Sequence, residues 1–218
     1  MNCPPSIALP SHAGLCDHLV PVRATTHFAL WLIGLARAET QTSDAERDCL
    51  ARSAANRCRL VEIGVWHGVT TCRLRSAMAP EATLWCVDPF PVGRFGFSVQ
   101  SSIAHAEVSR VRRGQVRWLR TTGADAGRLF ARDHEAPVDF VFIDGDHSYD
   151  GLRGDWEAWN GLVGAGGVIA LHDSCSSTTR SIDDAGSAIF TRQVILRDPR
   201  FRLAEVVDTL SILERNGN

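Results

Sequence analysis

The chain contains no lysine, and its 23 basic residues are all arginine. A net charge of −2 at pH 7 gives no electrostatic reason to bind nucleic acid. The seven cysteines form no C-x-x-C pair and no zinc-like spacing, and their odd count favours reduced thiols in a cytoplasmic protein. The first residues lack the pattern of a signal peptide, and no apolar run is long enough to cross a bilayer. We therefore expect no membrane insertion.

Apolar runs alternate with amphipathic segments from residue 59 onward. Five runs are predicted as strands, at residues 59–63, 83–87, 116–120, 138–143 and 168–171. Helical segments lie between them, for example residues 148–163. Strands that alternate with helices indicate an α/β fold with a doubly wound, mostly parallel, Rossmann-like sheet. Residues 201–215 predict an antiparallel hairpin that turns at Asp208-Thr209, for seven strands in all.

Two helices are predicted ahead of the sheet. One covers residues 25–38, and the other begins at Ser43, where Ser43 and Glu46 have the spacing of a capping box, and ends near residue 56. We treat residues 1–218 as a single domain with an N-terminal helical cap, 1–56, and a core, 57–218. The cap either covers the active site or forms a contact in a homodimer, and the sequence leaves both open.

Two of the predicted strands end in acids and histidines. Asp144, Asp146 and His147 follow the fourth strand, and His172 and Asp173 follow the fifth. Ligands of open α/β sheets bind outside the carboxyl ends of the strands. Carboxylates placed there can hold a divalent metal, and an imidazole can take a proton. For Asp146, a role in capping the next helix is the stronger interpretation.

The first strand leads into a glycine turn, Gly64-x-x-x-Gly68. Gly64 permits a tight turn from strand to helix, and Gly68 lets the backbone approach a ligand. The middle glycine of the dinucleotide fingerprint is missing, which argues against an NAD(P)-binding oxidoreductase. Twenty residues after Gly68, Asp88 ends the second strand, where an acid can accept both hydroxyls of a ribose.

Taken together, these motifs resemble class I S-adenosylmethionine-dependent methyltransferases. The residues that carry the resemblance are Glu62-x-Gly64-x-x-x-Gly68, Asp88, Gly123-x-Asp125, residues 143–149 and residues 166–173. Within the class, the chain is similar to small metal-dependent O-methyltransferases that methylate sugar hydroxyls on macrolides and polysaccharides. The match spans about residues 57–214.

The resemblance implies a cofactor site and a metal site. S-adenosylmethionine would be held by residues near the ends of the first four strands, namely Glu62, Gly64, Gly68, Asp88, Asp125 and Asp144. Mg²⁺, or alternatively Mn²⁺ or another divalent ion, would be ligated by Asp144 and Asp173. In the sugar enzymes the residue before the second aspartate is also an acid ligand. Here it is His172, which we count as a third candidate ligand, although imidazole suits softer metals than Mg²⁺.

The resemblance further implies methyl transfer to a hydroxyl of a glycoside or polysaccharide precursor. His147 is the predicted general base, since the lysine of some catechol-type relatives has no counterpart here. A role for His147 in supporting Asp144 or capping a helix is the alternative. The acceptor, a small molecule or oligosaccharide, would contact Trp66, His67, Phe90 and Tyr149. Three other functions stay open: methylation of a phenol or catechol, an NAD(P)-binding oxidoreductase, and a non-catalytic methyltransferase-like module.

Overall fold

The computed structural model describes residues 20–93, 96–133 and 136–217. Within them the strands are β1 (Arg59–Ile63), β2 (Thr83–Val87), β3 (Gln115–Leu119), β4 (Val138–Ile143), β5 (Val163–Leu171), β6 (Phe201–Val207) and β7 (Leu210–Arg215). The α-helices are α1 (Val20–Leu32), α2 (Asp44–Ala54), α3 (Val69–Ala77), α4 (Val99–Ser109), α5 (Gly123–Asp133), α6 (Tyr149–Trp159) and α7 (Gly186–Gln193). Residues 1–19 of the predicted N-terminal cap lie outside the described residues.

The strands form one sheet in the order β3-β2-β1-β4-β5-β7-β6. Strands β1 to β5 are parallel to one another, and β7 inserts antiparallel between β5 and β6. The predicted fold, a mostly parallel seven-stranded sheet with a C-terminal antiparallel hairpin, is confirmed. The strand order reverses between β1 and β4, so the crevice for a ligand lies at their carboxyl ends.

The central strands are apolar without interruption because helices cover both faces of the sheet. Along β4, Phe140 and Phe142 face a hydrophobic cluster that includes residues of α2 and α3. Val141 and Ile143 face a second cluster, formed with residues of α5, α6 and α7. This burial explains why β1, β2 and β4 match their predicted bounds to the residue.

Several predicted bounds differ from the structure: β3 covers Gln115–Leu119 instead of 116–120, and α1 begins at Val20 instead of 25. Helix α1 ends at Leu32 instead of 38, because Gly34 adopts a left-handed conformation with φ +78°. Helix α6 ends at Trp159 instead of 163, where the side-chain amide of Asn160 donates to the carbonyl of Trp156. Strand β5 therefore begins at Val163, five residues earlier than predicted, and its pairing with β4 contains a register shift.

The chain divides into two compact units. In the larger unit, residues 38–91 and 100–218, helix α2 contributes Cys49, Leu50 and Ala54 to the first hydrophobic cluster. In the smaller unit, whose described residues are 20–37, 92–93 and 96–99, the Phe28 ring lies 5.8 Å from that of Trp31. The cap function of residues 1–56 stays a prediction. No helix among the described residues has the length and apolarity needed to cross a membrane.

Candidate active site

A cavity of about 620 Å³ lies at the carboxyl ends of the central strands. Its wall comes from the turns after β1, β2, β3 and β4, the start of α6, and the loop before α2. The main lining segments are residues 39–41, 63–66, 87–89, 122–124 and 144–147. The cavity thus occupies the crevice that the strand order predicts.

The glycine turn is built by a close approach of β1 and β4. Gly64 has φ +86°, and a Cβ there would overlap the carbonyl oxygen of Asp144. Asp88 holds the turn: its Oδ2 accepts from the backbone N–H groups of Val65 (2.9 Å) and Trp66 (3.2 Å), and its Oδ1 accepts from Phe90 (2.7 Å). A carboxylate has about four acceptor positions, so Asp88 retains one.

Glu62 is fully buried behind this turn. Neither of its carboxylate oxygens has a hydrogen-bond partner among the described residues. Burial, together with the charges of Asp144 and Asp88, raises the pKa of Glu62 well above its ordinary value, and the nearby Thr71 hydroxyl offsets only part of this effect. An unpartnered buried carboxyl group is unfavourable alone and fits a ligand that brings a hydrogen-bond donor or a positive charge.

His147 lies in the cavity wall between two strand ends. Its Nε2 is 3.7 Å from Oδ1 of Asp144 and 4.0 Å from Oδ2 of Asp173, and its side chain is 36% exposed. Asp146 faces away from this pair, since its Oδ1 accepts from the N–H of Ser148, the N-cap residue of α6 (2.8 Å). The structure therefore places His147 with Asp144 and Asp173, and places Asp146 at the start of the helix.

His172 is buried between two carboxylates. Its Nδ1 lies 2.8 Å from Oδ1 of Asp144, and its Nε2 lies 3.4 Å from Oε2 of Glu46, although neither N–H points straight at its oxygen. Burial alone would lower the pKa of an imidazole. The carboxylates of Asp144 and Glu46, with the charge of Asp173, outweigh that effect and raise the pKa of His172 to about 10.

Asp173 is engaged by an arginine from the loop that follows β5. Arg180 donates from Nη1 to Oδ1 (2.6 Å) and from Nη2 to Oδ2 (3.0 Å), which makes the pair bidentate. The Asp173 side chain is buried, and its backbone has φ +48°. Both oxygens of this predicted metal ligand therefore already have a cationic partner.

A comparison with known families decides the class of the protein. Residues 61–174, more than half of the chain, match the family model described as "Methyltransferase domain". The chain belongs to this methyltransferase family. The prediction of a methyltransferase enzyme is confirmed, and the matched segment runs from β1 to the residues just after β5, so it contains the glycine turn and both acidic strand ends.

Solved structures share the fold of this methyltransferase. The O-methyltransferase TomG from Streptomyces achromogenes, in complex with SAM, is 19% identical with a TM-score of 0.61, over 90% of this chain and 89% of that one. An O-methyltransferase from Bacillus cereus, in complex with SAH, is 17% identical with a TM-score of 0.59, over 94% of each chain. At such identities the likeness shows the fold.

The donor atoms near the strand ends of the methyltransferase do not fit Mg²⁺. Among the described residues of the larger unit, the ligand atoms of Asp144, His147 and His172 lie within 4.8 Å of one another. This set offers one carboxylate and two imidazoles, whereas Mg²⁺ prefers oxygen ligands in octahedral geometry. The second carboxylate of the predicted set, on Asp173, is paired with Arg180.

Three of the four predicted acceptor residues take different positions. Trp66 lines the cavity and is 42% exposed, with its ring 5.1 Å from that of His67. His67 is buried, and its Nδ1 accepts from the N–H of Glu39 (3.0 Å). Phe90 is buried with its ring 6.0 Å from that of Trp118. The structure thus places Trp66 at the cavity and places His67 and Phe90 behind its wall.

Two further predicted residues lie beside the cavity. The Tyr149 ring packs against Phe190, with 5.1 Å between centroids. Asp125 is in the first turn of α5, where it accepts from the hydroxyl of Thr122 (2.8 Å) and pairs with Arg128. The Thr122 end of that turn lines the cavity.

Sequence reasoning missed three residues of the methyltransferase site. Asp155 lines the cavity and is buried. Burial and the charge of Asp146 raise the pKa of Asp155 to about 6, and the hydrogen bond from the backbone of Ala124 offsets part of this effect. Glu46 was identified for its capping box alone, and Arg180 not at all. Their roles depend on partners brought together by the fold, and only the capping-box spacing gave any local signal.

Proposed function

We propose that this methyltransferase transfers the methyl group of S-adenosylmethionine to a hydroxyl of a sugar, in a glycoside or polysaccharide precursor. One observation carries the proposal: a single cavity is lined by the glycine turn, by Asp88 and by His147. A cofactor site and a proton acceptor thus open into the same space, at the position where doubly wound sheets bind ligands.

The residues around the glycine turn fit S-adenosylmethionine. Glu62 provides a buried carboxyl group that lacks a partner, Gly64 keeps the turn free of a side chain, and Asp88 keeps an acceptor position for a ribose hydroxyl. When bound, the cofactor supplies an electrophilic methyl group. TomG and the Bacillus cereus enzyme, which share the fold, were solved with SAM and SAH, and this supports the same cofactor class here.

His147 is the proposed general base. An alcohol oxygen must lose its proton as it accepts a methyl group, and a neutral imidazole in the cavity wall can take that proton. The carboxylates of Asp144 and Asp173 lie 3.7 and 4.0 Å from Nε2, which places the imidazole between the two strand ends. Apo-state distances of this size are common, because catalytic hydrogen bonds tighten when the substrate binds.

The proposed sugar acceptor rests on the resemblance of residues 143–149 and 166–173 to the sugar enzymes. The exposed Trp66 ring supports it, since a flat apolar surface with polar groups nearby is typical of a small-molecule site. The proposal assigns the acceptor oxygen to the His147 side of the cavity. It also assigns the protein to the cytoplasm, because the odd number of cysteines and their spacing favour reduced thiols.

The test is transfer of a labelled methyl group to a panel of glycosides and catechols by wild-type protein and by His147→Gln. We expect turnover of glycosides, and a loss of about 10²- to 10⁴-fold in kcat for the variant with the Kd for the cofactor unchanged. His105→Gln is the matched control, because His105 stacks on Trp118. Full turnover by His147→Gln would remove this base, and turnover of catechols alone would overturn the sugar acceptor.

A further inference from the structure

We infer that the side chains of Arg180 and His172 exclude Mg²⁺ from the acidic strand ends of β4 and β5, so that this site binds no Mg²⁺ ion and methyl transfer proceeds without one. The part of this inference that concerns transfer rests on the proposed function. The part that concerns ion binding stands on the geometry of the site alone.

Arg180 occupies the carboxylate of Asp173. Both guanidinium hydrogen bonds reach the same carboxylate, at 2.6 and 3.0 Å, and the Asp173 side chain is 6% exposed. Bidentate charge-assisted pairs are among the strongest in proteins, and an arginine keeps its charge at any ordinary pH. To ligate Mg²⁺, Asp173 would have to give up both bonds. The guanidinium therefore occupies both oxygens that Asp173 would need to ligate a metal ion.

His172 lies against the carboxylate of Asp144. It replaces the acid that the resemblance places at this position, so an oxygen ligand is exchanged for a nitrogen that suits Mg²⁺ poorly. Its side chain is 1% exposed, with Nδ1 2.8 Å from Oδ1 of Asp144 and Nε2 3.4 Å from Oε2 of Glu46.

The carboxylates of this cluster already have neighbours. Arg180 pairs with Asp173, and His172 lies between Asp144 and Glu46. A divalent ion gains most free energy where several carboxylates lack a partner, and it must lose its tightly held water to bind. At these strand ends it would also have to displace the Arg180 guanidinium from a buried carboxylate.

Ion binding is the direct test. Wild-type protein freed of metal with EDTA is titrated with Mg²⁺ by calorimetry and with Mn²⁺ by electron paramagnetic resonance. We expect no saturable binding of either ion, and unchanged turnover in EDTA. The double variant His172→Asp, Arg180→Ser restores the acid and frees Asp173, so it should acquire one saturable Mn²⁺ site.

Arg200→Ser is the matched control for Arg180→Ser. Arg200 is 48% exposed against 49% for Arg180, and it also forms a bidentate pair, with Asp198. Its removal should create no Mn²⁺ site. If circular dichroism shows that the double variant does not fold, Arg180→Ser alone is used, and it should bind Mn²⁺ at millimolar concentrations.

Three results would overturn the inference. The first is saturable Mg²⁺ or Mn²⁺ binding by wild-type protein that Asp144→Asn abolishes. The second is a loss of turnover in EDTA that added Mg²⁺ restores. The third is a folded variant, double or single, that binds no Mn²⁺. A protein that methylates no acceptor would contradict the proposed function, and ion binding would still decide this inference.

Discussion

Gly64 is the residue at which β1 and β4 approach too closely to admit a side chain. A Cβ there would overlap the carbonyl oxygen of Asp144, and the backbone is left-handed at φ +86°. We expect Gly64→Ala to lower the free energy of unfolding by about 3 kcal/mol, from backbone strain and overpacking together. It should also weaken cofactor binding, because the turn that lines the cavity must move. Urea unfolding and calorimetry measure the two effects.

Gly166→Ala separates strain from overlap. Gly166 has φ +71°, close to that of Gly64, but no atom lies within 4 Å of the position that its Cβ would take. The cost of this control should be about 1 kcal/mol, from conformation alone. Equal losses of stability in the two variants would show that the close approach of β1 and β4 is unimportant.

Asp155 makes the stability of the protein depend on pH. Its pKa is raised from 3.8 to about 6 in the folded state, so the folded protein holds this proton more tightly than the unfolded chain. Its contribution to stability therefore falls as the pH rises from about 4 to about 6, and then stays constant. Asp155→Asn has no such proton, and above pH 6 it should be more stable than wild type by about 2 to 3 kcal/mol.

Below pH 4 the Asp155→Asn variant and wild type should have similar free energies of unfolding, measured in urea across the pH range without cofactor. Asp125→Asn is the control. The pKa of Asp125 is lowered by Thr122 and Arg128, so its removal should give no gain at neutral pH. A constant difference between Asp155→Asn and wild type from pH 3 to pH 8 would contradict the assignment.

Residues with a local signal could be predicted, and residues defined by distant partners could not. Gly64, Asp88 and His147 follow directly from strand ends, and the structure places all three at one cavity. Glu46 and His172 are 126 positions apart in sequence and meet only in the folded chain. Arg180 lies in a loop, where no periodicity indicates a direction for a side chain.

At the scale of elements, burial decides which bounds the sequence predicts. Strands β1, β2 and β4 are covered on both faces, so their apolar runs mark their ends. Strand β5 begins in a glycine-containing segment, Val163 to Gly167, that has little hydrophobic signal of its own. The hairpin of β6 and β7 was predicted from its turn at Asp208-Thr209, which the structure confirms.

Helix α2 is joined to the β6–β7 turn by Glu46. This carboxylate completes the capping box with Ser43, and its Oε1 accepts from the N–H and the hydroxyl of Thr209 (3.0 and 2.8 Å). Glu46→Gln puts an amide N–H₂ group opposite the backbone N–H of either Ser43 or Thr209, and it removes the charge beside His172. We expect a loss of about 3 kcal/mol in the free energy of unfolding, measured with urea.

Ser43→Ala removes the helix cap and leaves the carboxylate of Glu46. The variant loses the hydroxyl that accepts from the N–H of Glu46 and that donates to Oδ2 of the exposed Asp208 (2.6 Å), while the contacts of Glu46 with Thr209 and His172 stay in place. Loss of an N-cap costs about 1 kcal/mol. If Glu46→Gln were no more destabilising than Ser43→Ala, the carboxylate would serve the helix alone and would not link α2 to the sheet.

At the scale of the whole molecule, the cavity is assembled from segments between residues 39 and 155. A ligand of this cavity binds only the folded chain, so S-adenosylhomocysteine should stabilise the protein by mass action. At one hundred times its Kd, the gain in the free energy of unfolding is about 2.7 kcal/mol, or a rise of about 5 to 10 °C in Tm, measured by calorimetry.

NAD at the same concentration should give no rise in Tm, because the turn between Gly64 and Gly68 lacks the glycine that admits a pyrophosphate. A rise with NAD and none with S-adenosylhomocysteine would make the cavity a dinucleotide site. Gly64→Ala should lose most of the rise, since it displaces the turn that joins the first strand to the cavity.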